Sequence, residues 1–412
     1  MTAAAVEPAG RWRLLALLSA TVLLVLGTWF SGTAVAASLA VAWDIDTVGI
    51  AALTVAVQLG FAAGALVLAA AGVPDVVSAR WLIAGGALVA TIANAGFALL
   101  ATDLASALPY RFLTGAGIAA VYPVGMKVLA GWFRLQRGLA VGTLIGAITV
   151  GSALPHLLRA GGVLLALDWQ AIVLAASAGA AVGALIAVLA VDDGPFTVPA
   201  ARFSPAVARA ALREPSVRLA NLGYLGHMWE LFAMWSWIPV FLAASLAATG
   251  SADPAIASLA AFAVVASGGI GCVVAGALAD RLGRTTLTIA AMAISGSSAI
   301  VTGLLFGAWP VLVVAAALVW GITVVADSAQ FSTAVSELSP PGTAGSALTL
   351  QTAAGFTLTA VTIWGVSFLD PADAGGWRVA FALLAVGPLL GIVAMARLRG
   401  RPEAVRMAGG RR

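Results

Sequence analysis

Four stretches of the chain, Leu14–Trp43, Thr47–Val73, Trp81–Thr102 and Pro254–Ala279, contain no charged residue. Each exceeds the roughly 20 apolar residues that carry a helix across a bilayer core of about 30 Å. Punctuating the rest at charges, prolines and glycines predicts twelve spanning helices, near 13–40, 47–72, 81–101, 105–133, 138–158, 169–191, 216–248, 254–279, 285–308, 310–338, 344–369 and 376–398. These are helices 1 to 12 below. The uncharged run Thr285–Ala326 is too long for one crossing, and Gly307-Ala308-Trp309-Pro310 supplies the turn that divides it.

Composition supports a membrane reading. Charged residues are 9% of the chain, against roughly 25% in a soluble domain, and the hydrophobic share is 62% with a mean hydropathy of +1.05. Residues do not alternate as in a membrane barrel, which leaves a helical bundle. The first apolar run is longer than a secretion signal and is not followed by a small-residue cleavage site, so it is expected to remain as helix 1. The single cysteine, Cys272, lies in an apolar run and is expected to be a small buried hydrophobe; one cysteine and two histidines leave no basis for a disulfide, a metal site or another cofactor.

The sequence pI near 10 follows from topology rather than from nucleic-acid binding. With the N-terminus inside, Arg11, Arg13, Arg80, Arg134, Arg137, Arg202, Arg209, Arg213, Arg218, Arg281, Arg284 and the six arginines from Arg397 to Arg412 all fall on the cytoplasmic side, and only Arg159 and Arg378 fall outside. This is the positive-inside bias. It predicts a multi-pass protein of a bacterial-type cytoplasmic membrane with both termini cytoplasmic. The longest polar segment divides the helices six and six, giving a first bundle at 1–191, a cytoplasmic linker at 192–215, a second bundle at 216–400 and a basic tail at 401–412. Two equal halves are common in secondary transporters.

Between helices 8 and 9 the chain reads GALADRLGRTT, Gly276–Thr286. Gly276 permits close helix approach, Asp280 and Arg281 place charges at the membrane face, Gly283 allows a tight turn, and Arg284 can bond a neighbouring helix end. The pattern resembles the signature cytoplasmic loop of the major facilitator superfamily. The corresponding first-half loop, AGVPDVVSAR, keeps Asp75 and a late arginine but lacks the turn glycine and the arginine after the acid. In helix 4, RFLTGAGIAAVYP resembles that superfamily's R-x-x-x-G-x-G pattern. The resemblance covers the whole chain. It implies two six-helix bundles around a cavity lined by helices 1, 4, 7 and 10, with helices 3, 6, 9 and 12 toward lipid, working by alternating access. YPVGMKVLAGWF and GHMWELFAMW also resemble bacterial members grouped with nitrate/nitrite and cyanate porters. Nitrate porters would carry arginines deep in helices 2 and 8, whereas helix 2 here offers Gln58 and helix 8 no charge before Asp280. Helix 5 lacks the Gly-Pro pattern of drug/proton antiporters.

A charge inside a spanning helix costs at least a few kcal/mol, so it faces a cavity or a partner. Away from helix ends the ionisable residues are Arg111, Lys127, His227, Glu230 and Asp327, on helices 4, 7 and 10 only. They are the candidates for substrate contact or proton coupling. A carboxylic acid buried at mid-depth can serve as a proton carrier, and histidine suits a relay; the bland alternative is a structural group satisfied by neighbouring helices. Lys127, the only lysine among the 21 basic residues, either extends its stem to the interface beside Trp132 and Phe133 or faces the cavity, pairing with Asp327 or an anionic substrate. Uncharged cavity candidates are Ser31, Gln58, Tyr224, Ser328, Gln330 and Gln351, and of the helix-7 aromatics one or two are expected to border substrate.

The expected function is secondary transport of a small polar solute, with protons as the coupling partner and a slight preference for an organic anion, by a monomer in the lipid bilayer. The alternative is efflux of a hydrophobic or cationic compound by proton antiport. An enzyme would need a clustered catalytic constellation and a sensor a soluble output domain, and neither is legible. No phosphate-binding loop for ATP is present.

Overall fold

The computed structural model describes residues 7–197 and 203–411, apart from the side chain of Asp280; Arg202 and Arg412 of the orientation argument lie outside the described residues. Eleven helices among the described residues are long and apolar enough to cross a membrane. The twelfth, helix 1, runs in three pieces, Arg11–Leu26, Ser31–Ala34 and Ala36–Trp43. Helices 2 and 3 span Thr47–Ala70 and Ala79–Leu100, helices 5 and 6 Arg137–Leu164 and Trp169–Ala190. The second half runs Pro215–Ala247, Pro254–Leu282, Arg284–Leu304, Pro310–Leu338, Ala344–Leu369 and Ala374–Arg399 for helices 7 to 12.

Helix 4 is expected to be interrupted at Pro123, as helix 7 is at Pro239, and helix 10 to be continuous, yet helices 4 and 10 both break at the same depth. Helix 4 divides into Leu104–Ala119 and Tyr122–Trp132, and helix 10 into Pro310–Val324 and Ser328–Leu338. In helix 4 the cause is Pro123, which lacks an N–H to continue the ladder and opens the second piece. Helix 10 has no proline at its break, which is instead bridged by short i→i+3 bonds such as Ser328 N to Val325 O (3.1 Å) and Gln330 N to Asp327 O (2.8 Å). Pro239, by contrast, lies within a helix 7 that stays continuous.

The halves meet where side chains are smallest. A Cβ on Gly142 of helix 5 would come within 2.6 Å of the Cys272 carbonyl of helix 8, and one on Gly276 within 2.6 Å of the Gly138 carbonyl. Only hydrogen fits between these backbones. Large apolar side chains on helices 3, 6, 9 and 12 point outward, among them Leu88, Leu185, Ile294 and Leu389, the surface that lipid covers.

Two segments expected to be solvent-side are partly packed. The 192–215 region contains a short helix, Pro205–Ala211, begun by the Ser204 hydroxyl and tied to helix 11 where Ser204 N donates to Ser346 Oγ at 3.1 Å. The basic tail folds back in two 3-10 turns, with Ala404 and Met407 fully buried and Ala408 N donating to Glu337. Small apolar residues among the arginines dock the tail against helix 10.

Candidate functional site

At mid-depth between the halves lies a chamber of about 60 Å³. Trp29 of helix 1, Tyr122 of helix 4 and Ile148, Thr149 and Ser152 of helix 5 face Tyr224, Met228, Phe232 and Trp235 of helix 7, Ser328 and Ser332 of helix 10 and Phe356 of helix 11. The walls are aromatic, with hydroxyls at intervals, and among the described residues no charged side chain lines them. Helices 5 and 11 join the expected lining of helices 1, 4, 7 and 10. The aromatics interlock across the two halves: Phe61 and Phe356 have ring centroids 4.2 Å apart, Trp29 and Phe232 5.6 Å, and Phe30 and Trp235 6.0 Å.

Toward the end that carries the termini the space widens. A vestibule of about 520 Å³ is lined, among the described residues, by Lys127, Arg137, Arg284 and Glu337, with Gln330, Ser332 and Leu348. A smaller recess of about 280 Å³ shares Tyr122, Ser332 and Thr352 with the chamber and Lys127 and Ser332 with the vestibule. At the opposite end the halves are fastened together, the Thr47 hydroxyl donating to Asp370 Oδ1 at 2.7 Å. Typical ligand pockets measure roughly 300–1,000 Å³, so the vestibule has room for a solute and the chamber is tightly closed.

Lys127 meets Asp75 rather than Asp327. Its Nζ lies 2.6 Å from Asp75 Oδ1 and donates to the Pro74 carbonyl. The first-half loop thereby acquires an ion pair although its sequence departs from the family pattern. The second half forms the counterpart with signs exchanged. Arg284 follows Gly283, whose φ of +85° makes the expected tight turn, and donates to both Glu337 oxygens at 2.7 Å and to Gln330 Oε1 at 2.8 Å. Gly276 serves helix contact, as described above; Arg281 is exposed, and the Asp280 side chain lies outside the described residues.

Arg111 is wholly buried and lines neither chamber nor vestibule. Its Nη1 donates to the Thr28 carbonyl (3.0 Å), Ser31 Oγ (3.2 Å) and Asn94 Oδ1 (3.0 Å), and its Nη2 to the Trp29 carbonyl. Thr28 and Trp29 are where helix 1 breaks, so the guanidinium fork satisfies carbonyls that a continuous helix would have bonded itself. Asn94 extends the network to Ser177 of helix 6 at 2.9 Å. Gln58 is buried, with both amide atoms unpaired.

Glu230 also turns away from the chamber. Its oxygens accept from Ser295 Oγ and Trp320 Nε1, each at 2.8 Å, inside the second bundle. At 3.6 residues per turn it stands about 120° round helix 7 from Tyr224. Tyr224, Met228, Phe232 and Trp235 hold the chamber face, while Trp229 and Trp237 bond carbonyls of helices 12 and 11. His227 lies between these directions. Its Nδ1 is 2.9 Å from Asp327 Oδ1 and its Nε2 is 3.0 Å from the hydroxyl of Ser328, a chamber residue. Gln330 reaches the vestibule, whereas Gln351 acts from behind, accepting from Ser332 Oγ at 3.2 Å. Ser31 belongs to the Arg111 network.

Sequence reasoning missed Trp29, Tyr122, Thr149, Ser152, Ser332 and Phe356, ordinary residue types in an apolar chain. It also missed Glu337, whose sign opposite Arg284 was the available signal. Among the described residues no group of three or more His, Cys, Asp or Glu side chains is placed to hold a metal ion.

A family model described as Major Facilitator Superfamily matches residues 17–363. Among curated proteins, none matches the sequence significantly. Among solved structures, the chain is similar to a D-xylose-proton symporter (16% identity, 96% of this chain and 99% of the other, TM-score 0.74). It is also similar to the xylose transporter of E. coli in a partially occluded inward open conformation (14% identity, 95% and 98%, TM-score 0.73). A third likeness is to a nucleoside transporter (16% identity, 94% and 99%, TM-score 0.70).

Proposed function

Because the chain belongs to the major facilitator superfamily, we propose that this multi-pass membrane protein is a proton-coupled carrier of a small organic anion with an apolar body. The observation that carries the transport reading is the one-sided opening: a vestibule at the termini end, and contacts at mid-depth and at Thr47–Asp370 that close the other. A carrier requires such a state and a second one with the seal reversed. The arginine bias supports assigning the termini end to the cytoplasm.

The preference for an anion rests on the vestibule, where among the described side chains Lys127, Arg137 and Arg284 face Glu337 and leave one net positive charge even when Asp75 is counted. The apolar body suits the aromatic chamber, and hydroxyls there can bond a carboxylate. Because neither Glu230 nor Asp327 lines the chamber, the geometry lends the cation-efflux alternative no direct counter-charge. The uncharged chamber walls favour one second reading, a neutral hydroxylated solute of the kind carried by the xylose and nucleoside transporters named above.

The test is counterflow in proteoliposomes with labelled benzoate, D-xylose and tetraethylammonium under an imposed proton gradient. Benzoate exchange that weakens in Arg137→Gln supports the proposal. Exchange of xylose or tetraethylammonium without benzoate contradicts it.

A further inference from the structure

We propose that Asp327, His227 and Ser328 form a proton relay whose outlet is the Ser328 hydroxyl in the chamber wall, so that solute binding and proton uptake are one linked event. The inference rests on the transport reading above and assigns its coupling to a specific set of atoms.

The geometry is a chain of three groups on two helices. Asp327 Oδ1 stands 2.9 Å from His227 Nδ1, and His227 Nε2 stands 3.0 Å from Ser328 Oγ. The His227 and Asp327 side chains are 1% and 2% exposed, while Ser328 reaches the chamber. The break in helix 10 produces this arrangement. It places Asp327 at the start of the second helical piece, where its carboxylate makes no cap bond to the helix, and neither oxygen has a hydrogen-bond partner beyond the close approach to His227. The Val325 carbonyl at the same break is met instead by Cys272 Sγ at 3.7 Å. Glu230, the other deep acid, is already occupied by Ser295 and Trp320.

The relay works by turning one hydroxyl. In a neutral imidazole with hydrogen on Nδ1, the Asp327 carboxylate stands 2.9 Å away as a nearby charge rather than a hydrogen-bond acceptor, and Nε2 accepts the Ser328 O–H, so the chamber sees only the serine's lone pairs. In the imidazolium, Nε2–H donates to Ser328 Oγ and the serine hydrogen turns into the chamber. A solute that presents an acceptor, such as a carboxylate, therefore binds the protonated form better, and by reciprocity its binding draws a proton onto the imidazole. One N–H bond forms: a hydronium ion in the chamber gives a proton to Ser328 Oγ and becomes water as the serine passes its own hydrogen to His227 Nε2, and the same steps run backwards when the solute leaves. The titratable and charged groups around the pair are Tyr224 and Glu230 on helix 7, Cys272 on helix 8, and Arg284 behind Gln330 at the foot of helix 9. Tyr224 also lines the chamber beside His227, but Ser328 is the chamber residue hydrogen-bonded to the pair.

The test uses the full chain in nanodiscs in weak buffer with a pH dye. Benzoate, D-xylose or tetraethylammonium is added as a probe while quenching of Trp29 and Trp235 fluorescence reports occupancy. With the probe that quenches, the wild type is expected to take up close to one proton per probe bound, with affinity rising as pH falls by up to about tenfold per unit. Ser328→Ala should still quench, with proton uptake reduced at least about fivefold, and His227→Gln and Asp327→Asn should behave alike. Unchanged proton uptake in Ser328→Ala, or no proton uptake with any probe, overturns the relay. Quenching by xylose but not benzoate overturns the anion reading alone, and the relay is then judged by the same serine comparison with xylose.

Discussion

Lys127 closes on Asp75 at 2.6 Å, and at the corresponding place in the second half Arg284 closes on Glu337 at 2.7 Å. The loop supplies the acid in the first pair, and in the second the cation stands at the loop's end. Both pairs brace the loop between the second and third helices of their half against the fourth, and both cations line the vestibule.

The Lys127–Asp75 pair is about a fifth exposed on each side, so solvent screens it. A double-mutant cycle with Lys127→Ala and Asp75→Ala should return a coupling of about 0.5–1 kcal/mol. The reversed pair, Lys127→Asp with Asp75→Lys, should recover most of the stability. Thermal unfolding of the four proteins checks this; zero coupling would place Lys127 at the interface.

Arg111 holds carbonyls and side chains of helices 1 and 3 at once. Arg111→Lys keeps the charge but loses the fork, and should destabilise by about 3 kcal/mol or more because buried carbonyls and Asn94 lose their donors. Unfolding in mixed detergent measures this, and a loss below about 1 kcal/mol would contradict the role.

Gly276 touches helix 5. Gly276→Val should cost about 1–3 kcal/mol by separating helices 5 and 8, whereas Arg281→Ala in the exposed last turn of helix 8 should cost about 0.5 kcal/mol or less. Equal effects in thermal unfolding would mean that the motif acts through its loop alone.

Glu7, before helix 1, accepts backbone N–H groups of Leu135 and Arg134 and pairs with Arg11 at 3.1 Å. The Leu135 bond above all holds its carboxyl below the ordinary value of 4.5. A lowered folded value means the contact contributes fully above about 4.5 and is lost as pH falls through the lower folded value. Protection of the Leu135 N–H, taken relative to its intrinsic exchange rate at each pH, should therefore fall in acid, and in Glu7→Gln should be lower at neutral pH with little further acid response.

Helix positions, the six-and-six division and the loop motif were legible because each depends on runs of residues: apolar length, charge bias, and a glycine at a required turn. Arg111, His227, Glu230 and Asp327 were legible as buried, whereas Lys127 is partly exposed, and the partners of none of them were legible. One position along a helix turns a side chain by about 100°, and that separates Tyr224 in the chamber from Glu230 in the bundle. Asp75 lies 52 positions from Lys127, in a loop whose sequence gave no sign of the pair. The break in helix 10 has no proline to announce it, so the relay geometry at Asp327 could not be read in advance. The chamber aromatics carry no pattern that distinguishes them from packing residues.

The central claim is a single cavity that opens at one end while the other closes. Its most direct test places spin labels, after Cys272→Ala, at exposed Leu135 and Ser336 across the vestibule, and in a second protein at exposed Val41 and Phe368 across the opposite end. Distance distributions are then measured in nanodiscs at neutral and acid pH, with and without benzoate. Alternating access predicts two populations whose changes oppose each other, the vestibule pair shortening as the other pair lengthens. Distances that stay single and fixed at both ends, or that widen together, would contradict it.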